Sequence, residues 1–210
     1  MKTVTDLIKN VPLPPMYRVR EKFDGARIPD DELLDVLRAE LSRPALCSRV
    51  KPGMRVALTC GSRGIYRYQE LARTIVDFLK DCGAEPFIVA AMGSHGGATS
   101  EGQRDILTGY GITEENMGCP VLCGMDTVEI GKSPVRGRSV RIDRSAAAAD
   151  GIFLFNRVKP HTSYRGRYES GLMKMMAIGL GKQHGADDIH GQSPAIMHEL
   201  IEEYGRTILT

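Results

Sequence analysis

Two short apolar runs without a charge in them, Val56-Ala-Leu-Thr-Cys60 and Phe87-Ile-Val-Ala-Ala91, flank a segment that sets Leu71, Ile75, Phe78 and Leu79 at helical spacing. Runs so short and so uniformly apolar suit strands covered on both faces. The segment between them suits a helix with one apolar stripe, stopped at Gly83. Strand, helix and strand within about forty residues leave the chain little choice. The strands pair in parallel and the crossover is right-handed, because a twisted strand feeding a right-handed helix packs back on its sheet only that way. A third run, Gly151-Ile-Phe-Leu-Phe155, reads as another buried strand of that sheet. The expected fold is therefore α/β, a mostly parallel, Rossmann-like sheet with flanking helices in a single domain.

The rest of the chain is read around that unit. Residues 1–30 are broken by Pro12, Pro14, Pro15 and Pro29 and are expected to be irregular; 31–210 form the domain. From Asp31 a helix carries Leu33, Leu34, Leu37 and Leu41 on one face and closes at Pro44. Ser100, with Gln103 three residues on, has the spacing of a capping box opening a helix. Short strands are expected at Val121–Cys123, Thr127–Ile130 and Ser139–Ile142, and a small helix at Ala146–Ala149. His161 to Gly191 is rich in glycine and poor in periodicity, so loops and short helices are expected. Ser193-Pro194 opens a last helix with Ile196, Leu200, Ile201 and Tyr204 inward and Gly205 near its end.

Composition narrows the function classes. With 42% hydrophobic and 26% charged residues, the chain is neither disordered nor collagen-like. A net charge of +2 gives no global field for nucleic acid. Five cysteines, an odd number, speak against a disulfide framework and for a reducing compartment. Prolines and charges interrupt every apolar stretch from Met1 to Arg20, and no run reaches the ~18 residues of a membrane span. A cytoplasmic protein without nucleic-acid or membrane partners is expected, with a homo-oligomer open.

Ligands of open α/β sheets bind beyond the carboxyl ends of the strands. Arg63 follows the first apolar run, His95 the second and His161 the third, so three polar groups distant in sequence are expected to converge. Each alone reads better as a surface loop residue; the three together, each in a loop with Gly or Pro, favour a site. Gly93–Ser100 could cradle a phosphate at a helix start, but it lacks both the G-K-[ST] ending of a P-loop and the G-x-G-x-x-G spacing of a dinucleotide site. Lys174 stands among Leu172, Met173, Met175 and Met176. There it either snorkels to water or is desolvated into a nucleophilic amine. Lys132 to Lys174 holds ten Lys/Arg against three acids, which suits a solvated face or an anionic substrate. His184 and His190 bracket Asp187 and Asp188 with loose metal-ligand spacing. His198 and Glu202 read as a solvated i, i+4 pair, and the C-x₃-C of Cys119 and Cys123 lacks the second pair a structural zinc needs.

From Val56 to Gly191 the chain resembles the nickel-pincer lactate racemase family of 2-hydroxyacid racemases and epimerases. The anchors are Ser62-Arg63, Ala91-Met-Gly-Ser-His95 with Thr99-Ser-Glu101, Pro160-His161, Gly171-Leu-Met-Lys174 and Ile189-His190-Gly191. The resemblance implies a nickel pincer nucleotide, a pyridinium bis-thio acid mononucleotide, joined as a thioamide to Lys174 and loaded by cofactor-maturation enzymes. It implies His190 as nickel ligand, with His184 as substitute, His95 and His161 as acid/base residues, and Arg63 holding the substrate carboxylate. Racemisation would proceed by reversible hydride transfer, since an α-carboxylate disfavours a carbanion. The spacer from His161 to Lys174 is longer than in the archetypal lactate racemase, which favours another 2-hydroxy acid. Members of that family are about twice as long, so this chain is expected to match their N-terminal domain, without the C-terminal one. Two alternatives remain: a non-catalytic domain binding an anionic small molecule, and a zinc-dependent hydrolase using His95, His161 and His190.

Overall fold

The computed structural model describes residues 9–12, 14–20, 22, 25, 27–162 and 164–210. The irregular segment expected over residues 1–30 falls partly outside these, as does Ser163. The chain divides into two compact units, Met1–Asp30 and Asp31–Thr210. The described residues of the first form no helix or strand, and Met16, Tyr17 and Val19 are exposed.

In the second unit, helices α1 (Leu33–Leu41) and α2 (Pro44–Cys47) precede strand β1 (Arg55–Cys60), helix α3 (Tyr68–Asp81) and strand β2 (Glu85–Ala90). Pro44 thus opens a short second helix rather than only closing the first, since a proline at the first helical turn sacrifices no hydrogen bond. Helices α4 (Ser100–Gly109) and α5 (Glu114–Met117) lead to β3 (Val121–Leu122). Strands β4 (Thr127–Lys132) and β5 (Ser139–Asp143), helix α6 (Arg144–Ala147) and strand β6 (Gly151–Phe153) follow. Helix α7 (Gly171–Lys174) runs into a π-helical segment, Met175–Leu180, then α8 (Lys182–His190) and α9 (Pro194–Ile208). Among the described residues, no helix is long and apolar enough to cross a membrane.

The main sheet has four parallel strands in the order β3-β2-β1-β6, flanked by helices, and is Rossmann-like. Its pleat sends Val56, Leu58, Cys60, Ile88 and Ala90 to a core shared with α3 and α4, and Ala57, Phe87 and Val89 to a second core against Met175 and Leu180. Strands β4 and β5 do not join it. They form a separate antiparallel ribbon that packs on α8, α9 and the π segment. Strand β6 is half-buried and stops at Phe153, short of the expected Phe155. There the Thr59 hydroxyl takes the Phe155 N–H at 3.0 Å in place of a backbone carbonyl, and the ladder ends.

The stretch expected to hold loops and short helices is loop up to Ser170 among the described residues, and from Gly171 to His190 it is helical nearly throughout, in consecutive short segments. No amphipathic stripe marks it because Met175–Leu180 is buried on every side. Its glycines are points of close approach: a Cβ on Gly179 would lie 2.7 Å from the Ala91 carbonyl oxygen, and the Gly93 N–H donates to the Gly179 carbonyl at 3.2 Å. Gly179→Ala is expected to cost about 1–3 kcal/mol through this overlap, read as a lower urea midpoint. An unchanged midpoint would show that the contact yields freely. Gly205 likewise lies inside α9, which runs on to Ile208.

Candidate functional site

The order β3-β2-β1-β6 reverses direction between β1 and β6, which makes their carboxyl ends the switch point where such sheets hold ligands. Arg63, His95 and His161 stand in the loops leaving β1, β2 and β6, all at this edge. Two tyrosines clamp the first loop: the Gly61 N–H donates to Tyr68 Oη at 2.7 Å, and Tyr110 Oη donates to the Ser62 carbonyl at 2.9 Å. Ser62 Oγ hydrogen-bonds His95 Nδ1. Ser62 is the second member of the site on this loop, and its motif carries no hint of that role.

The His95 loop turns through left-handed backbone at Gly93 and Gly96. At Gly96 only glycine fits, because a Cβ would sit 2.5 Å from the Gly102 backbone. The cap of α4 is Thr99, whose Oγ1 accepts the Gly102 N–H at 3.0 Å, and not Ser100. Gln103, freed from the expected capping box, turns inward and donates to the Gly93 and His95 carbonyls.

The third loop is held by Glu169, which accepts the His161 N–H at 2.8 Å and the Gly166 N–H at 3.2 Å. These backbone donors keep its carboxyl below the ordinary range. The His161 ring stacks on Tyr164, centroids 4.0 Å apart. Lys174 ends α7 half-buried. The apolar flank is partial, for Met175 and Met176 are buried while Leu172 is exposed. Burial first, then the charges of Lys159 and Arg63, lower the Lys174 pKa. His190 ends α8 and also feels Lys174. His184, six residues earlier on α8, points about 120° away from it around the helix, and both are exposed.

The pKa values of His95, His161 and His190 are lowered, although His95 and His190 keep a solvent-facing side. For His95 the causes are partial burial, then Arg63, His190 and Lys174; for His161, partial burial, then Lys174 and Lys159. These imidazoles are neutral near neutral pH and able to accept a proton. Folding lowers the three pKa values, so below their ordinary 6.5 the unfolded chain binds protons first. Stability is expected to be full above that pH and to fall as pH drops through the folded-state values. Urea midpoints measured across this range check it, and a flat profile would contradict the shifts.

Half of the ten basic residues from Lys132 to Lys174 are held in ion pairs. Arg136 pairs with Glu199 and Glu203, Arg138 with Asp188, Arg144 with Asp126, Arg165 with Glu169 and Arg167 with Glu202. Of the others, Arg157, Lys159 and Lys174 follow β6 toward this edge, where Arg63 adds a further positive group. The Arg63 and Lys174 side chains form no hydrogen bond or ion pair among the described residues. Glu202 also pairs with Arg206 at 2.7 Å, so His198 and Glu202 are not the expected pair; His198 Nδ1 is buried without a partner among the described residues. Cys60, Cys119 and Cys123 are buried with free thiols, as small apolar residues. Among the described residues, no group of three or more His, Cys, Asp or Glu is placed to hold a metal ion, so His95, His161 and His190 do not form the three-ligand site a zinc hydrolase needs. A groove of about 230 Å³ between α1 and α3 gathers no histidine or lysine.

The sequence matches the family described as a domain of unknown function, DUF362, over residues 51–209. The chain belongs to this family. No curated protein and no solved structure matches it. The DUF362 match spans every element of the site, from the β1 loop to His190.

Proposed function

We propose that this DUF362 domain racemises or epimerises a 2-hydroxy acid with a nickel pincer nucleotide carried on Lys174. The observation that carries the reading is a half-buried lysine, its pKa lowered by burial and by Lys159 and Arg63, beside loops that bring His95, His161 and an arginine unpaired among the described residues to the switch point of the sheet. The residues fit such a group. Lys174 would hold the group through its amine, and His190 would give the nickel one imidazole, the remaining donors coming from the cofactor itself, so no cluster of protein ligands is needed. The chemistry the cofactor supplies is reversible acceptance of hydride. Arg63 binds the substrate carboxylate in a bidentate pair. His95, oriented by Ser62, and His161, stacked on Tyr164, take the hydroxyl proton and give it back, each serving one hand of the substrate. Lys159 adds positive charge at the same edge.

The test is metal and mass analysis of protein co-produced with cofactor-building enzymes. Nickel together with added mass on the peptide containing Lys174 is the expected result. Zinc alone, or neither metal nor added mass, would overturn it, the latter leaving a domain that binds an anionic small molecule.

A further inference from the structure

Behind the His95 loop lies a polar chain that the proposed chemistry does not use. Gln103 is 0% exposed, Lys182 1% and Asp143 2%. Gln103 Nε2 donates to the Gly93 carbonyl at 2.9 Å and the His95 carbonyl at 3.2 Å, while its Oε1 accepts from Lys182 Nζ at 3.4 Å. Lys182 Nζ also donates to the Ala90 carbonyl and pairs with Asp143 at 3.1 Å. Asp143 accepts the Ala146 N–H at 2.9 Å. Lys182 does this from a left-handed backbone, φ +53°, which costs a non-glycine residue energy. Stability alone is a poor reason for such an arrangement, because apolar residues of like volume often hold a fold as well as a buried ion pair does.

We infer that Gln103, Lys182 and Asp143 are positioning residues for His95, fixing the Gly93–His95 turn and with it the contact of the imidazole with Ser62. The logic is one of donors and acceptors. A side-chain amide has a donor end and an acceptor end and can lie either way round. An ammonium group only donates, so Lys182 admits only Oε1 on its side and turns Nε2 toward the two loop carbonyls. Burial lowers the Lys182 pKa, and the Asp143 carboxylate 3.1 Å away opposes that shift in favour of the ammonium form. Strand β2, the ribbon, α4 and the start of α8 are thereby tied to one proton-transfer group. The importance of His95 rests on the proposed function; the geometry of the chain does not.

The decisive variant is Gln103→Glu, which can still accept from Lys182 but cannot donate to the carbonyls. Amide hydrogen exchange at His95–Ala98 is expected to quicken on the order of ten-fold relative to the core amides of β1 and β2, the loss of about one buried hydrogen bond. The His95 imidazole nitrogen shifts at neutral pH should move from one tautomer toward a mixture, with those of His161 unchanged. Gln103→Met and Lys182→Met should do the same, the latter because the amide is then free to flip. If Lys182→Met does not accumulate, Lys182→Met with Asp143→Asn removes both charges and is measured instead. An unchanged loop and unchanged His95 shifts in Gln103→Glu would overturn the inference. So would equal changes at His161, which would mark general loosening. Both measurements use cofactor-free protein, so a failure of Lys174 to load would leave this result standing.

Discussion

Lys174→Arg protein is expected to fold normally, to carry no covalent cofactor when co-produced with the cofactor-building enzymes, and to show no racemase activity. Arginine keeps the positive charge and approximate length, but its guanidinium cannot form a thioamide, so the variant separates a covalent role from ion pairing. Normal folding is expected because Lys174 is half-buried and its side chain has no hydrogen-bond partner among the described residues. The unmodified chain should show the added mass on the peptide containing Lys174. Competition from the other lysines is limited by structure: Lys182 is sealed in its pair with Asp143, whereas Lys159 is exposed one loop away. Mass found on Lys159, or activity retained in Lys174→Arg, would overturn the assignment.

His95→Ala and His161→Ala are each expected to lower turnover of the loaded enzyme by ~10²–10⁴-fold, the usual worth of a positioned acid/base group, while nickel content stays near that of the parent. Neither ring is needed as a ligand if the metal takes only His190 from the protein. His190→Ala should do the reverse and deplete nickel. The lowered pKa values of His95 and His161 carry a further consequence for activity. Rates should hold through neutral pH and decline below it, as the imidazoles acquire protons and can no longer accept one. Nickel loss in His95→Ala or His161→Ala would mean that a ligand had been mistaken for a base.

The parts of this site that are legible in sequence are those fixed by strand ends. A run such as Val56–Cys60 declares its own end, and whatever follows must lie at the carboxyl edge; pattern alone therefore puts Arg63 and His95 there. The apolarity of sequence neighbours is a less even guide. Applied to Lys174 it finds a half-buried lysine, yet the deeply buried one is Lys182, eight residues on and set among glycines. Glycine-rich sequence reads as loop, and only packing shows that Gly179, Gly181 and Gly185 are small because backbone presses on them. Gln103 carries a signal that points to the wrong partner: a polar residue four before Leu107 on an inward helical face is a candidate for buried hydrogen bonding, and capping-box spacing masks it.

What the sequence determined by itself is the βαβ core, its parallel pairing and the strand-end origin of three site residues, because hydrophobic period and crossover handedness are local properties of the chain. Tertiary structure alone decided which charges remain at the site. Arg136, Arg138 and Arg167 meet acids tens of residues away, and no local pattern distinguishes them from Lys159 and Lys174. It also decided that β4 and β5 leave the sheet, that β6 ends at the Thr59 hydroxyl, and that Lys182, Gln103 and Asp143 close on one another beneath His95. Each of these depends on a partner brought near only by the completed fold, and a partner's chemistry cannot be read from the residue that meets it.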